Sequence, residues 1–279
     1  KTPDLREGRV PVGVVLAMAL AGTAITFKQT AVFEGAFLGL WAVWMLARAG
    51  TPRPRLAAIA LGLALAGALP MLAWGAFYAA EGHFAEFWHA MVTANLTKTY
   101  NPGGDLLHRA RLFAVELAPL GLLVLVGLLR AGKDAPARQA RAFALGWLLA
   151  ALAGFAVIPN LIDHYVLPVL VPLSLATAPI LCRRPLGLLL GGGLGALYLS
   201  TVPVLDFQRG ERSRAEMTAL VERIRAADPA PRLLVYDGPV YLYTLLGYRP
   251  VSPLAFPLHT SALPERDVSH LDTEAEFAR

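Results

Sequence analysis

Blocks of roughly 16 to 24 apolar residues, separated by short loops that repeatedly carry arginine, fill the first part of this sequence as far as Leu205. A helix rises 1.5 Å per residue, so about 20 residues cross a hydrocarbon core about 30 Å thick. Blocks of that length in series read as helices that cross a membrane repeatedly. Composition agrees: of 279 residues, 56% are hydrophobic and 16% charged, against roughly 45–50% and 25% in soluble domains. A disordered or fibrous chain is excluded. Cys182 is the only cysteine, which excludes an internal disulfide, a cysteine zinc cluster and an iron–sulfur site.

Seven stretches have, or nearly have, the required length: Val10–Phe27, Ala31–Ala47, Ala57–Ala79, Leu112–Leu129, Ala142–Ile158, Val166–Leu181 and Leu186–Leu205. If the chain alternates sides, the loops Lys1–Arg9, Leu46–Leu56, Arg130–Arg141 and Cys182–Pro185 share one face and hold twelve Lys and Arg. The opposite loops, at Lys28, Ala80–Arg111 and Pro159–Tyr165, hold four. The positive-inside rule then puts the amino end in the cytoplasm and the chain after Leu205 outside. The net +5 divides into +7 up to Leu205 and −2 beyond it, so the basic charge reports topology. No basic stripe on one exposed face marks a nucleic-acid partner.

Beyond Leu205 the pattern changes. Arg212–Ala227 sets Met217, Leu220, Val221 and Ile224 among charged residues, an amphipathic helix that stops at DPAP. Leu233–Tyr236 reads as a short buried strand, DGP as a turn and Val240–Leu246 as a second helical stretch. The predicted fold is therefore an α-helical polytopic membrane protein of about seven spans, residues 1–205, with a small mixed α/β extracytoplasmic segment, residues 206–279. Gly187, Gly191 and Gly195, at four-residue spacing in LGLLLGGGLGALYL, predict close approach of a neighbouring helix. A nucleotide-binding glycine loop would need a strand before it.

Charged groups in or beside spans are costly and so carry the functional information. In TAITFKQTAVFEG, Lys28, Gln29 and Thr30 break two apolar runs at a shared outer boundary. One reading is a tight helical hairpin whose lysine snorkels to the headgroups; the other is a fixed ammonium at the depth of a lipid phosphate. Glu34, further along, either holds that lysine, serves the pocket or is a paired structural charge. In IPNLIDHYVLPVLVPL, Asn160, Asp163, His164 and Tyr165 precede a span containing Pro168, Pro172 and Pro179. Prolines free backbone groups that lipid cannot satisfy, so this span belongs among other helices or beside a hydrated cavity. The polar cluster is either an interfacial anchor or a binding site.

The loop EGHFAEFWHAMVTANLTKTYNPGGDLLHRAR places Phe84, Phe87, Trp88 and Met91 on one helical face, as in a helix lying in the interface. Its second half offers Lys98, Tyr100, Asp105, His108, Arg109 and Arg111, enough donors for a phosphate or sugar. NLT at Asn95 matches a glycosylation sequon. HExxH, GxSxG and P-loop patterns are absent, and no metal ligand set is nominated. Glu116 reads as paired with a neighbouring helix.

The apolar helix ending in FKQT, followed much later by HYVLPVLVPLSL, resembles the C-terminal half of the polytopic lipid-sugar-dependent glycosyltransferases of the C superfamily, the protein O-mannosyltransferase and aminoarabinose transferase type. LLVYDGPVYLYTLLGYRPVSP is similar to the outer-face tail of bacterial members. The resemblance covers most of the chain as an order of features carried by short, apolar motifs. It implies transfer of a sugar from a polyprenyl-phosphate donor to a glycan, lipid or protein acceptor at the outer face, with no certain cofactor; the high alanine, leucine and arginine content points to a bacterial inner membrane. Lys28 and Tyr165 would hold the lipid phosphate and stabilise charge on the leaving group. His164 would be a further donor, and Arg109 or Arg111 would supply the arginine that often serves that phosphate.

The departure is the family's acidic catalytic residue, which lies in a first outer loop without counterpart here. Asp163 takes that role only if motif order is ignored. Since the polar opening KTPDLREGR also lacks signal-peptide architecture, the chain reads as the donor-binding half of such an enzyme, its general base upstream of Lys1, inactive alone. A transporter or flippase for a lipid-linked or anionic substrate is the other reading, because broken helices and charges in spans also mark transport sites. Against it, no matching halves are evident and the polar residues gather at one face.

Overall fold

A computed structural model describes residues 4–5, 7–97, 104–129, 135–157, 161, 163–201, 206–228, 233–256 and 275, apart from the side chains of Thr97, Gly104, Asp105, Asp163 and Thr201. Two compact units result, Lys1–Phe84 with Pro102–Gly191 and Ala85–Asn101 with Gly192–Arg279.

The apolar blocks become helices: α1 (Val12–Phe27), α2 (Val32–Arg48), α3 (Arg53–Ala80), α4 (Gly104–Leu129), α5 (Ala135–Ala156), α6 (Leu167–Leu181) and α7 (Leu186–Thr201). Among the described residues, five helical stretches are long and apolar enough to cross a membrane: Gln29–Arg48, Arg53–Ala80, Leu106–Leu129, Ala135–Ala156 and His164–Leu181. These are the lengths a multi-pass membrane protein needs. Of the seven expected spans, α1 has 16 residues, about 24 Å of rise, and α7 is described over 16, so neither is among those five. α1 stops where Lys28 turns extended, at φ −150° and ψ 112°.

Within the first unit α1 packs chiefly along α3, α2 bridges α1 and α3 to α5, and α6 lies against both α5 and α4. Met18 from α1, Ala42, Met45 and Leu46 from α2 and Leu63 from α3 form a buried cluster with Leu5. The backbones of α1 and α3 meet at Gly22, where any Cβ would overlap the Gly67 carbonyl oxygen. On the other flank of α3, Leu61, Leu65, Leu69 and Leu72 are 54% to 62% exposed. An apolar stripe of that length is unfavourable in water and natural against lipid.

α6 follows the proline argument. Val169, Pro172, Thr177 and Ile180 are fully buried, and the span sits among helices as the freed backbone requires. Thr177 and Ser174 turn their hydroxyls back onto their own helix, donating to the Ser174 and Leu170 carbonyls. The glycine stripe meets the expectation only at Gly187, where a Cβ would overlap the Leu181 carbonyl at the end of α6. Among the described residues nothing lies within 4 Å of a Cβ built at Gly191, Gly192, Gly193 or Gly195, and another close helix approach occurs at Gly22 and Gly67.

Phe84–Trp88, which enters the second unit at Ala85, a π-helical turn at His89–Thr93 and Ala94–Thr97 carry the aromatic loop as helix. Asn95 of the sequon donates its amide to the Ala90 and Met91 carbonyls. Lys98 and Tyr100 lie outside the described residues. α8 (Phe207–Ala227) starts a turn earlier than expected, because Asp206 accepts a hydrogen bond from Arg209 N at 3.0 Å and caps it.

The expected strand Leu233–Tyr236 is not a strand, and no strand occurs among the described residues, so the described part of this segment is helical and irregular. A strand needs a neighbouring ladder; here Val235 N donates to the Tyr243 hydroxyl at 2.9 Å instead. Tyr243 lies on α9 (Leu242–Leu246), which Gly247 ends in left-handed geometry at φ 75°. Val221, Val235, Leu242, Tyr243 and Leu246 close a small core beneath Met217 and Ile224.

Candidate functional site

The break in FKQT is a hairpin made from one extended residue and one turn of 3-10 helix. Lys28 N still donates to Ala24 O, then Gln29–Ala31 forms the turn and α2 begins at Val32. The second break matches it. Asp163–Val166 is a 3-10 turn at the head of α6, and Leu161 just before it is buried at φ 40°. That region costs a non-glycine residue about 1–2 kcal/mol, which the buried side chain must offset.

α5 draws the two breaks together. It contacts both turns, and Gly154 lets the Gln29–Ala31 turn approach: a Cβ there would stand 3.0 Å from Thr30 O and 3.4 Å from Phe33. As a result the Lys28 ammonium sits over the Tyr165 ring, 3.5 Å from its centroid. His164 meets the same ring edge-on, at 4.5 Å between centroids and 72° between planes. A cation over a half-exposed ring is worth about 1 kcal/mol, enough to hold the ammonium with its remaining N–H donors free for an anion. Lys28 lies in neither flanking apolar helix, and partial burial lowers its pKa from the usual lysine value by desolvation. Among the described residues it has no carboxylate partner.

Glu34 is not that partner. Its Oε1 accepts a hydrogen bond from Trp147 Nε1 at 2.6 Å, joining α2 to α5. Below it the same two helices interleave Phe37, Trp41, Phe143 and Trp147, with centroids 5.4 to 5.8 Å apart across Phe37–Phe143, Trp41–Phe143 and Phe143–Trp147. Of the three readings of Glu34 this fits the paired structural charge. Its place in the first turn of α2 also suits the positive end of the helix dipole.

Arg109 and Arg111 lie near the start of α4, whose Phe113 stacks edge-on against Phe155 near the end of α5 at 5.0 Å. They therefore occupy the same end of the bundle as Lys28 and Tyr165, but neither is a partner of that pair. Arg109 is half-buried and engaged elsewhere, whereas Arg111 is exposed. Asn160 and the side chains of Asp105 and Asp163 lie outside the described residues. No family model, no curated protein and no solved structure matches the chain.

Sequence reasoning paired the right backbone breaks and missed Trp147. The available signal was an indole N–H inside a span, which needs an acceptor that lipid does not offer. Among the described residues no three His, Cys, Asp or Glu side chains gather as metal ligands. The cluster offers an ammonium, a phenol and an imidazole, the donor set of an anion site. Deeper in the bundle an open cavity of about 760 Å³ runs between α1, α2 and α5, lined by Val14, Met18, Leu38, Trp41, Gln139 and Phe143 among others.

Proposed function

We propose that this chain is the donor-binding membrane part of a glycosyltransferase that takes a sugar from a polyprenyl phosphate at the outer face of a bacterial inner membrane. The acceptor is a glycan, lipid or protein, the amino end is cytoplasmic and the chain beyond Leu205 is extracytoplasmic. The observation that supports this reading is the Lys28 ammonium seated 3.5 Å over the Tyr165 ring, at two coupled breaks in apolar helices. An anion arriving there meets Nζ–H donors, the phenol and His164, and negative charge growing on a departing lipid phosphate is stabilised by groups already in position. The reading assigns donor binding to these residues and no catalytic base to any of them.

The test is binding of polyprenyl phosphate to purified protein in detergent or nanodiscs. Lys28→Ala and Tyr165→Ala are expected to weaken it on the order of tenfold or more, from the loss of a charged hydrogen bond, with helix content unchanged. Unchanged affinity in both variants refutes the assignment. Transport of a lipid-linked or anionic substrate is the second reading, favoured by the open cavity of about 760 Å³ among α1, α2 and α5. In sealed proteoliposomes it requires movement of labelled lipid between leaflets with no sugar transfer.

A further inference from the structure

At the opposite end of the first unit, α4, α5 and α6 part to leave an open cleft of about 230 Å³. Val124 and Gly127 of α4, Ala144 of α5 and Leu175 of α6 form its walls, and Arg141 and Arg183 stand at its mouth. Arg141 is half-buried within α5, while Arg183 is exposed just after α6. Neither guanidinium has a carboxylate or hydrogen-bond partner among the described residues. A half-buried guanidinium against apolar walls is costly until an anion meets it. The neighbouring cleft between α2 and α5 differs, because Arg48 is already stacked on Trp44 at 5.1 Å and Arg138 is engaged.

We propose that the cleft holds an anionic phospholipid of the adjoining leaflet, its phosphate between Arg141 and Arg183 and part of one acyl chain along the α4–α6 wall. The size argues for this occupant. At about 230 Å³ the cleft is below the range of roughly 300–1,000 Å³ that encloses a small molecule, yet it suffices for part of a chain whose remainder stays in the bilayer. The charge argues likewise, since basic pockets between spans recognise anionic headgroups. This site is independent of Lys28 and Tyr165 and lies at the end of the bundle that carries the basic loops.

The experiment is native mass spectrometry of the purified chain with phosphatidylglycerol or phosphatidylcholine added in turn. One phosphatidylglycerol is expected to be retained in preference to phosphatidylcholine. Arg141→Gln with Arg183→Gln should weaken that retention on the order of tenfold, Arg141→Lys with Arg183→Lys should keep most of it, and Arg48→Gln should leave it within about twofold. If the double variant does not fold, Arg183→Gln alone, an exposed position, carries the test with an expected loss of about threefold. Equal retention of both lipids, equal loss in Arg48→Gln, or full displacement by millimolar inorganic phosphate each overturns the proposal.

Discussion

Trp147→Phe is the most informative single change. It keeps a ring beside Phe143, now 5.8 Å away, and deletes the indole N–H that reaches Glu34 Oε1 at 2.6 Å, together with part of the ring. In soluble proteins a hydrogen bond to a charged group contributes about 1.5–3 kcal/mol. In membranes the measured average is about 0.6 kcal/mol and the maximum about 1.7, because the unfolded chain finds other partners in the bilayer. The Glu34–Trp147 bond is short, half-buried and joins two helices with no ion pair between them among the described residues. These features place its loss near the top of the membrane range, at about 1.5 kcal/mol. The assay is reversible unfolding in mixed micelles, run as a double-mutant cycle with Glu34→Leu. Each single variant leaves one polar group without its partner, whereas the double variant leaves neither, so a coupling of about 1 kcal/mol is expected. A Trp147→Phe protein within about 0.3 kcal/mol of wild type, or strictly additive losses, refutes the reasoning.

Gly22→Val should force α1 away from the Gly67 carbonyl and destabilise by about 2 kcal/mol or more, while Gly193→Ala, in open space, should be neutral or stabilising by about 0.5–1 kcal/mol; thermal unfolding in detergent compares them. Tyr243→Phe should cost about 1–2 kcal/mol by leaving the buried Val235 N–H unmet, read as faster hydrogen exchange at Val235. The Lys28 pKa is lowered by desolvation, so the unfolded chain binds more protons in the window between that lowered value and 10.5. Stability therefore gains as pH rises through the window. Polyprenyl-phosphate affinity, which needs the charged ammonium, should fall over the same rise and persist in Lys28→Arg.

Much of this architecture was legible because hydropathy and helix geometry share a length scale. Phe27 and Leu181 end helices where the apolar blocks end. The starts of α3, α4 and α5 were read late, since Arg53, His108, Arg109 and Arg138 continue a helix beyond its apolar part and hydropathy registers only the lipid-facing portion. The meeting of Lys28 with Tyr165 was foreseeable as two breaks at one depth; their contact was not, because it depends on Gly154 admitting the first turn. Leu233–Tyr236 was misread for a related reason: local preference for extended backbone becomes a strand only when a partner ladder exists, and the partner here is a tyrosine hydroxyl.

The close seam between α1 and α3 joins helices of very different reach. α1 has 16 residues and α3 has 28, about 24 Å against 42 Å along their axes. A bilayer core of about 30 Å matches neither. With the two locked at Gly22 and Gly67, leaning α3 over to shorten its span also leans α1, which is already too short. Hydrophobic mismatch is therefore built into the pair: a thinner bilayer fits α1 better and α3 worse, each at a cost of fractions of a kcal/mol per Å. Acyl-chain length therefore pulls the locked pair in opposite directions, short chains suiting α1 and long chains suiting α3.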